Sequence, residues 1–243
     1  MQNVPPERWR RAQDWELAVW REANPRVPAW RAALCYILSV SRLRRRPPTG
    51  DDWNHWWAEK FDGYELVPAV IDNCVELGCG PYTNVRIIRQ NRAISHLFCS
   101  DPLARYYIGF QRAWLADVYR RGEVLIDDHA IEECPFATDF FDLTLMINVV
   151  DHVRDARLCL EQVIRITRPG GMLIIGQDLT SAEDMRNDIV RNDPGHPIRV
   201  THQQLDAAVL PRFEPALHRI LSREQGRNPA AHYGTYLFIG TKR

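Results

Sequence analysis

Five residues of this chain have the types and positions that chemistry asks for. Gly78 and Gly80 flank a single residue in "CVELGCGPYTNV", directly after an apolar run. Asp101 ends the apolar run "HLFCSD", and Asp151 and His152 stand side by side after "FFDLTLMINVV". Glycines spaced in this way let a backbone approach a nucleotide. A carboxylate at the end of the next strand offers two acceptor oxygens to two vicinal hydroxyls. An Asp-His pair at a strand rim supplies a group that titrates near neutrality and a neighbour to orient it, so His152 is the first candidate base and Asp151 its partner or substitute.

The loop itself narrows the nucleotide. A dinucleotide fingerprint needs a third glycine where this chain has Thr83, and Pro81 lacks a backbone N–H that a phosphate would use. No Gly-Lys-Ser/Thr follows, which excludes a phosphate-binding P-loop. Asp101 lies 25 residues after Glu76, about where a doubly wound sheet sets a carboxylate against a ribose. Asp101 before Pro102 also suits a plain helix start, so the spacing to the glycine loop is what favours the ribose role.

These residues need a frame. From about residue 70 apolar strands alternate with helical segments: "NCVELGC", "HLFCSD", "EVLIDD", "FFDLTLMINVV" and "MLIIGQD" as strands, with "NVRIIRQN", "PLARYYIGFQRAWLADVYRRG" and "DARLCLEQVIRIT" as helices. "FEPALHRILSRE" and "HYGTYLFIGTKR" form a closing strand pair. That order predicts a doubly wound α/β fold with a mostly parallel sheet and an antiparallel end. Residues 1–69 read as an N-terminal helical cap or lid on a domain of residues 70–243. Within the cap, "PPERWRRAQDWELAVWREA" and "AWRAALCYILSVSRL" predict two helices before the break "RPPTG". Asp51 or Asp52 then caps "DWNHWWAEKFDGY", whose Trp53, Trp56, Trp57 and Phe61 share one helical face.

Bulk properties exclude other classes. Lys+Arg and Asp+Glu both total 31, so the chain lacks the basic field of a nucleic-acid binder. Arg42, Arg44, Arg45 and Arg46 form the one basic cluster, a solvated helix end. Six cysteines without a Cys-x-x-Cys pair or a histidine array at zinc spacing suit a reducing cytoplasm and predict no metal site. No segment has the length of a membrane span or the form of a signal peptide. The helical N-terminal region could pair with a second copy as a homodimer.

Taken together, "VELGCGP", "SDPL", "EECPFATDFFDLTLMINVVDHVRD" and "ITRPGGMLIIG" resemble the class I S-adenosylmethionine-dependent methyltransferases over residues 70–243. The resemblance implies a seven-stranded, Rossmann-like sheet whose last strand is antiparallel. It implies that Gly78, Cys79 and Gly80 lie beside the methionine part of S-adenosylmethionine, with Glu76 supporting the loop. Asp101, with Pro102 after it, would hold the ribose. Ala130 and Ile131 would line the adenine, with Asp128 or His129 near its edge, and Asn148 would face the sulfonium. Tyr82 and Thr83 depart from the family pattern, which has small residues there. They would either narrow the cofactor mouth or give a hydroxyl to the methionine carboxylate.

On the acceptor side, "GQDLTSAEDMRNDIVRNDPGHPIRVTHQQL" is longer and more polar than a connection needs. Its Asp178, Glu183, Asp184, Asp188 and Asp193, followed by His196 and Arg199, read as a partly acidic mouth for a hydroxylated, cationic small molecule. With Trp56 and Tyr64 from the cap, this part is similar to bacterial methyltransferases of sugars and amino sugars, aminoglycoside N-methyltransferases among them. The expectation is methyl transfer to an amine of an amino sugar or aminoglycoside in bacterial secondary metabolism, antibiotic biosynthesis included. Methylation of a sugar hydroxyl, with or without a metal, and a non-catalytic scaffold are the alternatives.

Overall fold

The computed structural model describes residues 3–24 and 52–243. The second N-terminal helix expected from the sequence, the arginine cluster, the "RPPTG" break, Cys35 and the cap at Asp51 lie outside the described residues.

Seven strands form one sheet in the order β3-β2-β1-β4-β5-β7-β6. They are β1 Val70–Leu77, β2 Ala93–Ser100, β3 Leu125–Asp127, β4 Phe141–Ile147, β5 Thr167–Leu179, β6 Phe213–Ser222 and β7 Gly234–Lys242. β1 runs parallel to β2 and β4, β2 to β3, and β4 to β5, while β7 lies antiparallel between β5 and β6. The doubly wound, mostly parallel sheet read from the sequence is therefore the fold observed, with its antiparallel strand in the closing pair. β4 and the Leu173–Ile175 stretch of β5 are buried on both faces, which is why they read as continuous apolar runs rather than alternating ones.

Two cores cover the two faces, and successive residues alternate between them as the pleat requires. Cys74, Leu145 and Ile174 join one core, whereas Val75, Met146 and Ile175 join the other. The second core is closed by α6 Ala156–Ile166, which buries Ala156, Cys159, Leu160, Val163 and Ile166 along one stripe. Asp155 caps it by accepting from the Leu158 N–H at 3.0 Å. The five described cysteines are all buried and form no disulfide with one another, as small core residues.

The first core takes in the helix α2 Asp52–Lys60. Trp57 is 1% exposed, and its ring lies on Gly176 of β5 so closely that a Cβ there would stand 2.8 Å from it. Phe61 stacks on Trp57 at 6.3 Å and Tyr64 on Phe61 at 5.4 Å. The aromatic face expected at residues 53–61 is thus only partly buried. Trp53 is 56% exposed and instead covers the Arg227 guanidinium at 3.6 Å.

The long helix expected after Asp101 is two short ones, α4 Ala104–Tyr107 and α5 Trp114–Arg120. Gly109 and an extended Ala113 separate them, and the Arg120 guanidinium donates to the Phe110 carbonyl in the gap at 2.9 Å. The helix after the glycine loop is a single turn, α3 Val85–Ile88.

α1 Pro6–Ala23 starts with Pro6 in the first turn. It is fastened across the C-terminal ends of the strands. Val4 N–H donates to the Arg154 carbonyl at 2.9 Å, and the Trp9 indole donates to the His152 carbonyl at 3.1 Å. Arg8 reaches the carbonyls of Asp193 and Pro194 at 2.8 and 2.6 Å. At its other end, Trp20 meets the rings of Tyr82 and Tyr107. Among the described residues no helix is long and apolar enough to cross a membrane.

Candidate active site

The glycine loop follows β1 directly, and buried side chains set its shape. Glu76 is 1% exposed and accepts from the N–H groups of Asn84 and Val85 at 2.8 and 2.7 Å. It thereby ties the loop to the start of α3 and satisfies donors that a helix end leaves free. Gly78 has φ +64°, and a Cβ there would meet Val149 at 2.4 Å. Gly80 has φ +56° with open space where a Cβ would stand, so no side chain bars a close approach on that side. Thr83, in place of the third glycine, also takes a left-handed φ of 49°. Its Oγ1 is buried without a hydrogen-bond partner, while the Tyr82 hydroxyl donates to Asn24 Oδ1 at 2.9 Å.

Asp101 stands at the end of β2 beside this loop. Its Oδ2 accepts from the Gly80 N–H at 3.0 Å and its Oδ1 from the Leu103 N–H at 2.8 Å. Burial, with the charge of Glu16 adding to it, pushes Asp101 up to about 7 against those two hydrogen bonds.

A cleft opens over the strand ends. Gly78, Asp101, Pro102, Ala130, Ile131 and Asn148, all assigned from the sequence to the cofactor, line it. Glu76 and Cys79 do not line it; both are buried, and the Cys79 N–H donates to the Ser100 carbonyl at 3.2 Å. Asp128 and His129 are not among the walls; Asp128 pairs with Arg105, and His129 Nδ1 lies 2.6 Å from Asp127. Asn148 has φ +56° and accepts from the Asp178 N–H at 3.1 Å, which fixes the turn after β4. Gln177 holds the next two residues by accepting from the N–H groups of Val149 and Val150 at 3.2 and 2.9 Å.

The cleft continues to His152 and, on α1, to Trp9, Gln13 and Glu16. These α1 residues were missed in the sequence. Their signal was present: Trp9, Gln13, Glu16 and Trp20 fall on one helical face, where a carboxylate lies among tryptophans. His152 Nδ1 is buried without a hydrogen bond, 3.6 Å from Glu16 Oε2. Its ring lies 4.4 Å from that of His196, so two distant segments meet here. His196 Nδ1 is held by Asp193 Oδ2 at 2.7 Å. Burial works to lower His196, yet the Asp193 hydrogen bond and the Asp151 charge outweigh it and hold His196 above the usual imidazole range. Asp151 is 4% exposed; burial would raise it, but the imidazoles of His152 and His196 hold it below the ordinary carboxylate value.

The other expected acceptor residues are placed differently. Tyr64 is buried in the first core, with its hydroxyl 3.3 Å from Asn84 Oδ1. Trp56 is half-buried beside Lys60 in a separate groove with Arg219. Arg199 donates to the carbonyls of His196 and Ile198 at 2.5 and 3.2 Å, bracing the loop. Asp178 pairs with Arg227 at 2.9 Å and accepts from Thr235 at 3.0 Å. Asp184 pairs with Arg223 and Asp188 with Arg191. The acidic mouth is therefore largely neutralised by the chain's own cations, and Glu16 is the acid that faces the cleft beside His152.

Residues 75–175, which carry Glu76, the glycine loop, Asp101, Asn148, Asp151 and His152, match a family model described as a methyltransferase domain. No curated protein sequence matches the chain. Among solved structures, the N-methyltransferase NodS from Bradyrhizobium japonicum WM9 in complex with S-adenosyl-L-homocysteine is 16% identical. That match covers 80% of this chain and 88% of NodS, with a TM-score of 0.56. Geranyl diphosphate methyltransferase in complex with S-adenosylmethionine is 13% identical over 77% of this chain and 84% of its own, with a TM-score of 0.58. The [4+2]-cyclase SpnF shares the fold as well, at 15% identity over 79% and 80%, with a TM-score of 0.57. A cyclase among these structures shows that the fold alone does not fix the reaction. The match over residues 75–175 supports S-adenosylmethionine as the cofactor. The residues present fit that group: the Asp101 carboxylate on the cleft wall and, in the loop beside it, open space at Gly80 and a buried Thr83 hydroxyl without a partner.

Proposed function

We propose that this chain transfers a methyl group from S-adenosylmethionine to a small polar acceptor docked between the rim of β4 and the cleft face of α1. The observation that carries the reading is the continuity of one cleft, from Asp101 and Ala130 through Asn148 to His152 and Glu16. S-adenosylmethionine supplies, when bound, an electrophilic methyl on a positive sulfur. Asp101 holds the ribose hydroxyls, Gly78 to Gly80 accept the close approach of the methionine moiety, and Asn148 borders the sulfonium end. Val149, His152 and Val153 aim the acceptor and shield it from water, and positioning of this kind supplies several kcal/mol. The acceptor's proton leaves on the Asp151–His152 side of the cleft.

An amine of an amino sugar or aminoglycoside remains the favoured acceptor, now because of Glu16. An ammonium entering the cleft meets that carboxylate, a role the paired Asp178, Asp184 and Asp188 no longer offer. Methylation of a hydroxyl is the second reading, and the Asp151, His152 and His196 cluster favours it. Calorimetric titration with S-adenosyl-L-homocysteine tests the cofactor, followed by labelled methyl transfer to amino sugars, their N-acetylated forms and neutral sugars. Label on amino sugars that N-acetylation abolishes supports the amine; label on neutral sugars alone supports the hydroxyl. Folded protein that binds neither S-adenosylmethionine nor its product overturns the proposal.

A further inference from the structure

Asp151, His152 and His196 form an arrangement that methyl transfer by positioning alone does not require. Each oxygen of Asp151 faces a different imidazole: Oδ1 lies 3.9 Å from His152 Nε2, and Oδ2 lies 3.9 Å from His196 Nε2. Those separations are too long for hydrogen bonds. Yet Asp151 is nearly sealed from solvent and its Oδ1 has no hydrogen-bond partner, a costly state for a buried carboxylate. Donor atoms of the three residues all lie within 4.8 Å of one another. Bonds of about 2.1 Å in a near-tetrahedral site set donors about 3.4 Å apart, so small side-chain rotations bring these atoms onto one ion.

The surroundings of His196 point the same way. Asp193 Oδ2 lies 2.7 Å from Nδ1, and an imidazole that donates there presents Nε2 on the Asp151 side, free to bind a cation once it gives up its second proton. A carboxylate behind the far nitrogen is the usual support for a metal-binding histidine. By contrast, the trio Asp127, Asp128 and His129 is already occupied, with Asp127 on Ser100 at 2.7 Å and Asp128 on Arg105.

We infer that Asp151, His152 and His196 form a site for one divalent transition-metal ion at the acceptor end of the cleft, with Asp193 as a positioning residue. Two imidazoles and one carboxylate select Zn2+, Mn2+, Fe2+ or Co2+ over Mg2+ and Ca2+, which prefer oxygen ligands. Three protein ligands leave a coordination position open towards the cleft. In the methyl-transfer reading, on which only this role rests, that position holds an acceptor hydroxyl and so orients the molecule. With the ion in place, His152 is a ligand rather than a base.

The test uses the full chain without a tag, stripped with a chelator and returned to chelator-free buffer. Co2+ is titrated with visible ligand-field absorption as the readout, then Zn2+ in competition with a chromophoric chelator. The expected result is one equivalent of Co2+ with a visible band that Zn2+ displaces. Zn2+ affinity should fall about 100-fold in His196→Ala and about tenfold in Asp193→Asn. Both variants should keep their affinity for S-adenosyl-L-homocysteine within about twofold, which shows that they are folded. Absence of a visible band, or equal Zn2+ affinity in the wild type and both variants, overturns the site. Failure of the wild type to bind S-adenosyl-L-homocysteine while it binds Co2+ overturns the methyl-transfer reading and leaves the metal site standing.

Discussion

The two ends of the cleft are built from different materials. At the cofactor end, backbone groups dominate: the turns at Gly78 and Gly80, and N–H groups gathered by Glu76 and Asp101. At the acceptor end, side chains dominate: Glu16, Asp151, His152 and His196 come from three separate stretches of chain. A backbone-built site has one shape, set by local sequence, and suits a ligand that never changes. A side-chain-built site is altered by single substitutions, and suits a partner that differs between relatives.

Substitutions can break this contrast. The largest effect is expected from His152→Ala, which should lower turnover by about 100-fold while leaving affinity for S-adenosyl-L-homocysteine within about twofold. Steady-state kinetics beside calorimetry separates the two, and near-wild-type turnover would return His152 to packing against His196. Asp101→Ala should do the reverse, weakening cofactor binding by roughly 30- to 100-fold through the loss of charged hydrogen bonds. Unchanged affinity would sink the ribose assignment.

A smaller effect sharpens the comparison through pH. Asp101 titrates at about 7 in the folded protein, because burial and Glu16 disfavour its charge. In the proposed ribose role, hydroxyls donate to the ionised form, so cofactor affinity should rise about tenfold from pH 6 to pH 8 and then level off. Below about 7 the folded state keeps a proton that the unfolded chain has released. Stability of the cofactor-free protein should therefore fall as pH rises from the ordinary carboxylate value to about 7. Glu16→Gln should move the affinity midpoint to lower pH; an unmoved midpoint would detach α1 from the cofactor end. The smallest effect belongs to Trp53→Ala, which uncovers the Arg227 guanidinium and should cost about 1 kcal/mol or less in thermal denaturation.

The same contrast explains what the sequence disclosed. The placement of Gly78, Gly80 and Asp101 around one loop was legible because strand, loop and carboxylate follow one another along the chain, and strand hydrophobicity marks where each begins. Parallel strands buried on both faces announced β4 and β5 as apolar runs. His196 was named as an acceptor residue, but its meeting with His152 was hidden, since 44 residues separate them. The pairing of Asp178 with Arg227 and Asp184 with Arg223 was hidden likewise, and without it the acids read as a free negative mouth. Glu16 went unassigned because an amphipathic helix shows which face is apolar, not which pocket that face will cover. The break between α4 and α5 depended on a carbonyl capped by Arg120, a contact that no periodicity reports.

Gly176 and Trp57 carry a consequence for how sequences of this kind can diverge. The indole occupies the space where any side chain at 176 would begin, with Ile147 Cδ1 3.2 Å away on another side. Neither position can drift alone: alanine at 176 needs a smaller ring or none at 57, and a lost indole leaves a hollow over β5. Gly176→Ala and Trp57→Leu should each destabilise the protein, and the double variant should be less damaged than the two losses added together. In descendants of this chain the two sites should change hands as a pair, a linked inheritance between the N-terminal segment and the middle of the sheet.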